Sequence, residues 1–371
     1  MDVREFDFYL PADLIAQEPS GDRTAARLLH LRRDTGSVAH FTISALPDLL
    51  RAGDLVVVND TRVFPARLLG HRVPSGGAVE CLLVRRLGSA ASDTCRTGVG
   101  PVSDPGNSGY AVSEAWEALM HPGQKLHPGA RVVFEGIHTI HGEVLEQKFF
   151  GRRVVRLWTE DGSALDAAID AIGHVPLPPY IKRGDRDADR DRYQTVFARS
   201  RGSVAAPTAG LHFTPELIAC LRNRGVELAE ITLHVGYGTF QPVRVERVED
   251  HRLEPESYDI STAAALAINR AIDERRRIIA VGTTTTRTLE AVARPHDGRI
   301  AAGGGATDLF IYPGFEFRVI DGLLTNFHLP KSSLLMLVSA FAERDRIRTA
   351  YDAAIAERYR FYSYGDAMLI L

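Results

Sequence analysis

The run Asp54-Leu-Val-Val-Val-Asn-Asp60 is continuously apolar and ends in polar residues. This is the pattern of a strand buried on both faces whose carboxyl end opens onto a cleft, and it puts Asn59, Asp60, Thr61 and Arg62 at that opening. From about residue 69 to 156 the pattern changes to short β-rich runs (79–84, 131–134 and 153–157) separated by Gly and Pro turns, which predicts a small barrel or sandwich. Within it, residues 87–113 are rich in Gly, Ser, Asp and Pro and read as a surface excursion without chemistry.

After residue 156 helix and strand signals alternate. A helix capped by Ser163 carries Leu165, Ala168, Ile169 and Ile172 on one face and stops at Gly173. Another starts with Thr214 as N-cap, Pro215 at its first position and Glu216 in its first turn, where a carboxylate complements the helix dipole. The strand 230–235 follows, then a helix capped by Ser261 or Thr262 with Ala264, Ala265, Ile268, Ala271 and Ile272 inward, then the buried strand 277–282. That β-α-β unit requires a parallel or mixed sheet. Residues 334–342, and Ile347, Tyr351, Ala354 and Ile355, mark two more helices. The fold class is therefore α/β: a discontinuous α/β domain with a mixed sheet, residues 1–68 and 155–371, interrupted by a small β-barrel-like insert, residues 69–154.

Composition narrows the class. With 371 residues, 45% hydrophobic and 25% charged, the chain is long enough for two globular domains. A net charge of -3 does not advertise a nucleic-acid partner, so any RNA contact must use a local basic patch. Cys81, Cys95 and Cys220 form no CxxC pair, which argues against a zinc framework or disulfide scaffold and fits a reducing cytoplasm. The first eleven residues lack an apolar signal core, and the run 334–342 is too short to span a bilayer, so a soluble, cytoplasmic protein without membrane association is expected.

Four segments carry candidate chemistry. Val281-Gly-Thr-Thr-Thr-Thr-Arg287 joins a buried strand to a helix, and threonines are useful at a helix start, where hydroxyls and unpaired N–H groups converge on an anion. The alternative is that these hydroxyls only cap the helix. In residues 204–214, Thr208, Gly210 and His212 precede a helix, with Gly210 permitting close backbone approach; a lone histidine there is equally at home as a structural hydrogen-bonder. The same holds for His234, which ends its strand before Gly236. Asn326, His328 and Lys331 again stand before a helix. The histidines have no HxxxH or HxH spacing, so no metal is expected. Basic residues gather at 182–192, with Arg183, Arg190 and Arg192 beside Tyr180 and Tyr193, a combination that suits RNA phosphates and splayed bases; interleaved aspartates also fit a solvated loop.

Taken together these segments resemble the S-adenosylmethionine:tRNA ribosyltransferase-isomerase family of queuosine biosynthesis. The likeness is carried by Phe6-Asp-Phe-Tyr-Leu-Pro11, Gly53-Asp-Leu-Val-Val-Val-Asn-Asp-Thr-Arg62, Pro176-Leu-Pro-Pro-Tyr-Ile181, the 204–214 loop, Ile231-Thr-Leu-His-Val-Gly236, Leu324-Thr-Asn-Phe-His-Leu-Pro-Lys331 and Arg360-Phe-Tyr-Ser-Tyr-Gly-Asp-Ala-Met368. Two departures stand out: Glu254 replaces the second histidine of a His-x-Met-His-Ser-Glu pattern, and Glu343 stands where a glycine commonly follows Ala-Phe-Ala.

The resemblance implies transfer and isomerisation of the ribosyl group of S-adenosylmethionine onto 7-aminomethyl-7-deazaguanine at the wobble position of tRNA, giving epoxyqueuosine-tRNA, adenine and methionine. S-adenosylmethionine is then a consumed co-substrate, and no other cofactor is implied. A monomer is expected. The rival readings are an S-adenosylmethionine-dependent RNA methyltransferase and a non-catalytic RNA-binding protein. For the implied reaction the donor site is expected at strand ends carrying Asn59, Asp60, Arg62, Thr208, Gly210, His212, His234, Gly236, Thr283, Thr284, Arg287, Asn326, His328 and Lys331. There the Thr283 helix start suits the carboxylate, Asp60 faces the cation, and Asn326 with His328 reads the purine edge. The proton acceptor is His212, His234 or the substrate amine.

Overall fold

Four strands precede the insert: β1 (Arg27–Leu31), β2 (Val38–Thr42), β3 (Leu55–Asn59) and β4 (Thr61–Val63), with the short helix α1 (Leu46–Leu49) between β2 and β3. The computed structural model describes residues 1–89, 113–236, 238 and 243–371, which divide into two units, Met1–Val63 with Leu177–Leu371, and Phe64–Pro176. Most of the 87–113 excursion, including Cys95, lies outside the described residues.

The unit Phe64–Pro176 is a closed antiparallel barrel of β5 (Arg67–Val73), β6 (Ala78–Ser89), β7 (Glu114–His121), β8 (Arg131–Phe134), β9 (Ile140–Gln147) and β10 (Arg152–Thr159), in the order β10-β7-β6-β5-β8-β9, followed by α2 (Leu165–Ile172). Alternate residues such as Cys81 and Leu83, Ala118 and Met120, and Val132 and Phe134 fill the interior. At Gly142 the interior is so tight that an added Cβ would lie 2.8 Å from Val132. The insert is wider than the expected 69–154: β10 closes the barrel by pairing with both β7 and β9, and α2 belongs to this unit. The N-cap of α2 is Ala164, because the Ser163 backbone and hydroxyl are turned to Asp161 instead.

The other unit continues with α3 (Asp187–Arg192), β11 (Ser200–Ser203), α4 (Pro215–Asn223), β12 (Glu227–Leu233), β13 (Glu256–Ile260), α5 (Thr262–Asp273), β14 (Ile278–Val281), α6 (Thr283–Ala293), β15 (Gly303–Thr307), β16 (Gly322–Asn326), α7 (Ser333–Ala342), α8 (Arg344–Ala356) and β17 (Ala367–Ile370). Nine strands form a mixed sheet in the order β15-β13-β12-β3-β14-β16-β17-β1-β2, and β11 pairs with β4 apart from it. β12, β3, β14 and β16 run parallel, so their carboxyl ends share one edge, the place where open α/β sheets bind ligands.

β3 is buried on both faces. Leu55 and Val57 join a core with α5, α6, α7 and α8, whereas Val56 and Val58 join Leu217 and Leu221 of α4 on the opposite face. Thr214 caps α4 by accepting from Leu217 N at 3.2 Å, and Ser261 caps α5 by accepting from Ala264 N at 3.1 Å. The charged segment at 182–192 is not wholly loop, since α3 occupies its second half. No helix among the described residues is long and apolar enough to cross a membrane.

Candidate functional site

A cavity, open at its mouth and enclosing about 660 Å³ when the solvent in that mouth is counted, lies at the carboxyl edge of the parallel strands. β14 ends at Val281 and the chain turns through Gly282, whose φ of 88° lies in a region that favours glycine. Gly282 is the N-cap of α6 and supplies no side chain to the first turn, so the helix start is uncapped toward the cavity. The threonine run then divides. Thr285, Thr286 and Thr288 turn their hydroxyls back onto the carbonyls of Val281, Gly282 and Thr284, the local bond by which threonine is accommodated within a helix. Thr283 and Thr284 instead line the cavity; Thr284 is only 6% exposed, and its Oγ1 is buried without a hydrogen-bond partner among the described residues.

Asn326, the last residue of β16, forms a facing wall. Its Oδ1 is likewise buried without a partner among the described residues, at 3% residue exposure. Its Nδ2 is 3.2 Å from Tyr362 O, 3.4 Å from Asp366 O and 3.2 Å from His212 Nε2. Two buried polar atoms without a partner among the described residues, on two residues that line one cavity, are costly unless a ligand or water meets them. Thr208 also lines the cavity, and so do Tyr180 and Tyr362, whose rings stand 4.6 Å apart between centroids. His328 completes this wall with Nε2 2.9 Å from Thr325 Oγ1; burial pushes its imidazole down to about 3. Burial, aided by the positive charges of Arg360 and Arg23, pushes His212 down to about 4. Both rings are neutral at physiological pH.

Other expected site residues are held elsewhere. Asn59 ties strands together, accepting from Thr61 N and Leu233 N and donating to Leu233 O. Asp60 and His234 form a second cluster and are not among the cavity-lining residues. Asp60 accepts from Thr232 Oγ1 at 2.6 Å, with Arg199 at 3.8 Å, and His234 Nδ1 lies 2.8 Å from Thr61 Oγ1. Burial lowers the His234 pKa. Arg62 is exposed. Gly236 N donates to Glu256 Oε1 at 2.8 Å, and Arg287 Nη1 donates to Glu256 Oε2 at 2.5 Å, so both are anchored by one buried carboxylate. Gly210 packs on Thr195, where an added Cβ would come within 2.9 Å. Lys331 pairs with Asp7 at 2.6 Å.

The arginines of the basic segment differ among themselves. Arg183 is paired with Asp189 at 2.6 Å and Glu18 at 3.0 Å. Arg190 is exposed, and Arg192 donates to the carbonyls of Ser20 and Gly21.

Sequence patterns did not assign site roles to Tyr362, Ser363 or Glu256. The signal available for the first two was the aromatic run at 359–364, which brings Tyr362 and Ser363 to the cavity.

The model of the family described as "Queuosine biosynthesis protein" matches residues 3–370. The chain belongs to this family. Among queuosine biosynthesis proteins, it is 48% identical over 371 residues to an S-adenosylmethionine:tRNA ribosyltransferase-isomerase of Desulfitobacterium hafniense, with all of both chains covered. It is 50% identical over 369 residues to the one of Geobacter sulfurreducens, with 99% of each covered. The crystal structure of S-adenosylmethionine tRNA ribosyltransferase from Thermotoga maritima is similar at 35% identity and a TM-score of 0.52, covering 99% of this chain and 100% of that one. That likeness agrees with the mixed sheet and the barrel described above.

Proposed function

We propose that this queuosine biosynthesis protein transfers and isomerises the ribosyl group of S-adenosylmethionine onto 7-aminomethyl-7-deazaguanine in tRNA, releasing adenine and methionine. The observation that supports this most directly is the cavity at the strand ends. It sets an uncapped helix start and the unpartnered Thr284 Oγ1 beside the unpartnered Asn326 Oδ1, with aromatic rings on the remaining wall. An anion-favouring end, a bare acceptor and an aromatic face are what a carboxylate, an N–H group and a purine on one donor require.

The sulfonium acidifies the adjacent 5′ carbon of the donor. Removal of that proton, cleavage of the glycosidic bond to release adenine, attack on the sugar by the aminomethyl nitrogen with loss of a proton, and cleavage of the 5′ carbon–sulfur bond to release methionine together account for the new bond and both leaving groups. The protein's part is to hold the donor, keep water out and bring the amine to the sugar. The reading includes no metal, a monomeric enzyme and a cytoplasmic site of action. Mixing protein, S-adenosylmethionine and precursor-bearing tRNA should yield adenine and methionine together, at an undiminished rate after exhaustive chelation. Release of S-adenosylhomocysteine would identify a methyltransferase. Donor binding without turnover would identify a binding protein, and a rate lost to EDTA and restored by a divalent ion not needed for tRNA folding would identify a metal enzyme.

The tRNA side of the reading rests on the basic segment. Among the described residues Arg192 hydrogen-bonds to the carbonyls of Ser20 and Gly21, so Arg192→Ala should flatten the log–log salt dependence of tRNA binding by about 0.7 to 0.9, the loss of one phosphate contact. Arg183→Ala should leave that slope unchanged, because its charge is already met by Asp189 and Glu18. Equal slopes for wild type, Arg190→Ala and Arg192→Ala would remove this segment from the tRNA interface.

A further inference from the structure

The His212–Asn326 contact decides which atoms can accept a proton. An amide nitrogen has no lone pair to offer, so in the 3.2 Å hydrogen bond Asn326 Nδ2 is the donor and His212 Nε2 the acceptor; its second hydrogen is shared between the carbonyls of Tyr362 and Asp366. The amide cannot be turned the other way, because Oδ1 would then face the carbonyl oxygens of Tyr362 and Asp366, which only accept. His212 is therefore protonated on Nδ1, and the Nε2 lone pair is already engaged. The same arrangement leaves Asn326 Oδ1 as the amide atom without a partner among the described residues, on a residue that lines the cavity.

We propose that His212 is a positioning residue and not the proton acceptor of the reaction: it fixes the Asn326 amide so that Oδ1 receives an N–H of the bound donor. This rests on the cavity being the S-adenosylmethionine site. The N–H belongs either to the α-ammonium or to the adenine amino group, and both chemistries seat on a bare carbonyl oxygen. Thr284 Oγ1 stands in the same cavity as the second partnerless atom, so the two together orient one ligand.

Two independent measurements test this on the full chain. In the ligand-free protein, long-range proton–nitrogen NMR of the His212 ring, assigned with His212→Ala, should show a bare Nε2 and a protonated Nδ1 near neutral pH. Free imidazole prefers the opposite tautomer, so finding Nε2–H would overturn the proposal whatever reaction the enzyme catalyses. In kinetics, His212→Gln supplies an amide oxygen that accepts from Asn326 but has no basicity, and its kcat should stay within about threefold of wild type. His212→Ala removes one of the three acceptors around Asn326 Nδ2 and so loosens the amide, which should raise the donor KM about tenfold with a smaller change in kcat. The same variant should weaken binding of either L-methionine or adenine about tenfold, and whichever is affected names the group on Oδ1. A kcat lowered about a hundredfold or more in His212→Gln at unchanged donor affinity, or no effect of His212→Ala on either product, would overturn the positioning role.

Discussion

Replacing Glu256 by alanine is expected to lower the free energy of unfolding by about 3–5 kcal/mol, the usual cost of stripping one partner from a buried ion pair. Glu256 and Arg287 side chains are 7% and 5% exposed and meet at 2.5 Å, and the other carboxylate oxygen accepts from Gly236 N. Among the described residues, alanine leaves the buried guanidinium the carbonyls of Leu309 and Thr307 as hydrogen-bond partners. It also frees the loop that follows β12. Urea denaturation monitored by far-ultraviolet circular dichroism reads the change. The double replacement of Glu256 by Leu and Arg287 by Met should recover most of the loss, since apolar side chains of similar volume often replace a buried pair at little cost. A loss under about 1 kcal/mol for Glu256→Ala would mean that the pair is screened as a surface pair is.

Thr284→Val is expected to move stability and donor affinity in opposite directions. The Thr284 hydroxyl has no partner among the described residues, and Thr284 lines the cavity. Exchanging it for a methyl group at nearly constant shape removes an unsatisfied buried oxygen, so the ligand-free protein should gain about 1–3 kcal/mol. S-adenosylmethionine should bind about 10- to 150-fold more weakly, the equivalent of about 1.5–3 kcal/mol for a hydrogen bond to a charged group. Calorimetric titration and thermal unfolding on the same preparation give both numbers. Unchanged affinity would leave the hydroxyl with no ligand to serve, and the anion end of the cavity would then rest on backbone N–H groups alone.

Local periodicity carried much of the architecture. The unbroken apolar run of β3 signalled burial on two faces, and Leu55 and Val57 do pack opposite to Val56 and Val58. Thr214 and Ser261 were readable as caps because a cap acts within three residues. The limits of the insert were not readable. Apolar alternation in β10 is the same whether a strand closes a barrel or joins a sheet, and only its pairing with β7 and β9 distinguishes them.

At the site, a position at a strand end could be inferred but its partner could not. Asp60 is matched by Thr232, Lys331 by Asp7 and Arg183 by Glu18, all distant in sequence. The threonine run looked uniform, yet three of its hydroxyls are absorbed by the helix that carries them. One departure has a physical reading only in three dimensions: Glu343 joins α7 to α8 with φ of 66°, a conformation that glycine adopts without strain.

The position of β17 bears on how the enzyme is made. Every pairing of the barrel falls within residues 67–159, so that unit can form while the ribosome is still at work. The large sheet cannot. β17 lies between β16 and β1, aligning Ala367 with Asn326 and Leu28, and until it emerges both neighbours have open edges. A nascent chain stalled before Ala367 would expose those edges to any other strand nearby. It would also lack the pairing that aligns Asn326 with Ala367 beside the cavity, so chains cut short before β17 are expected to be both prone to association and inactive.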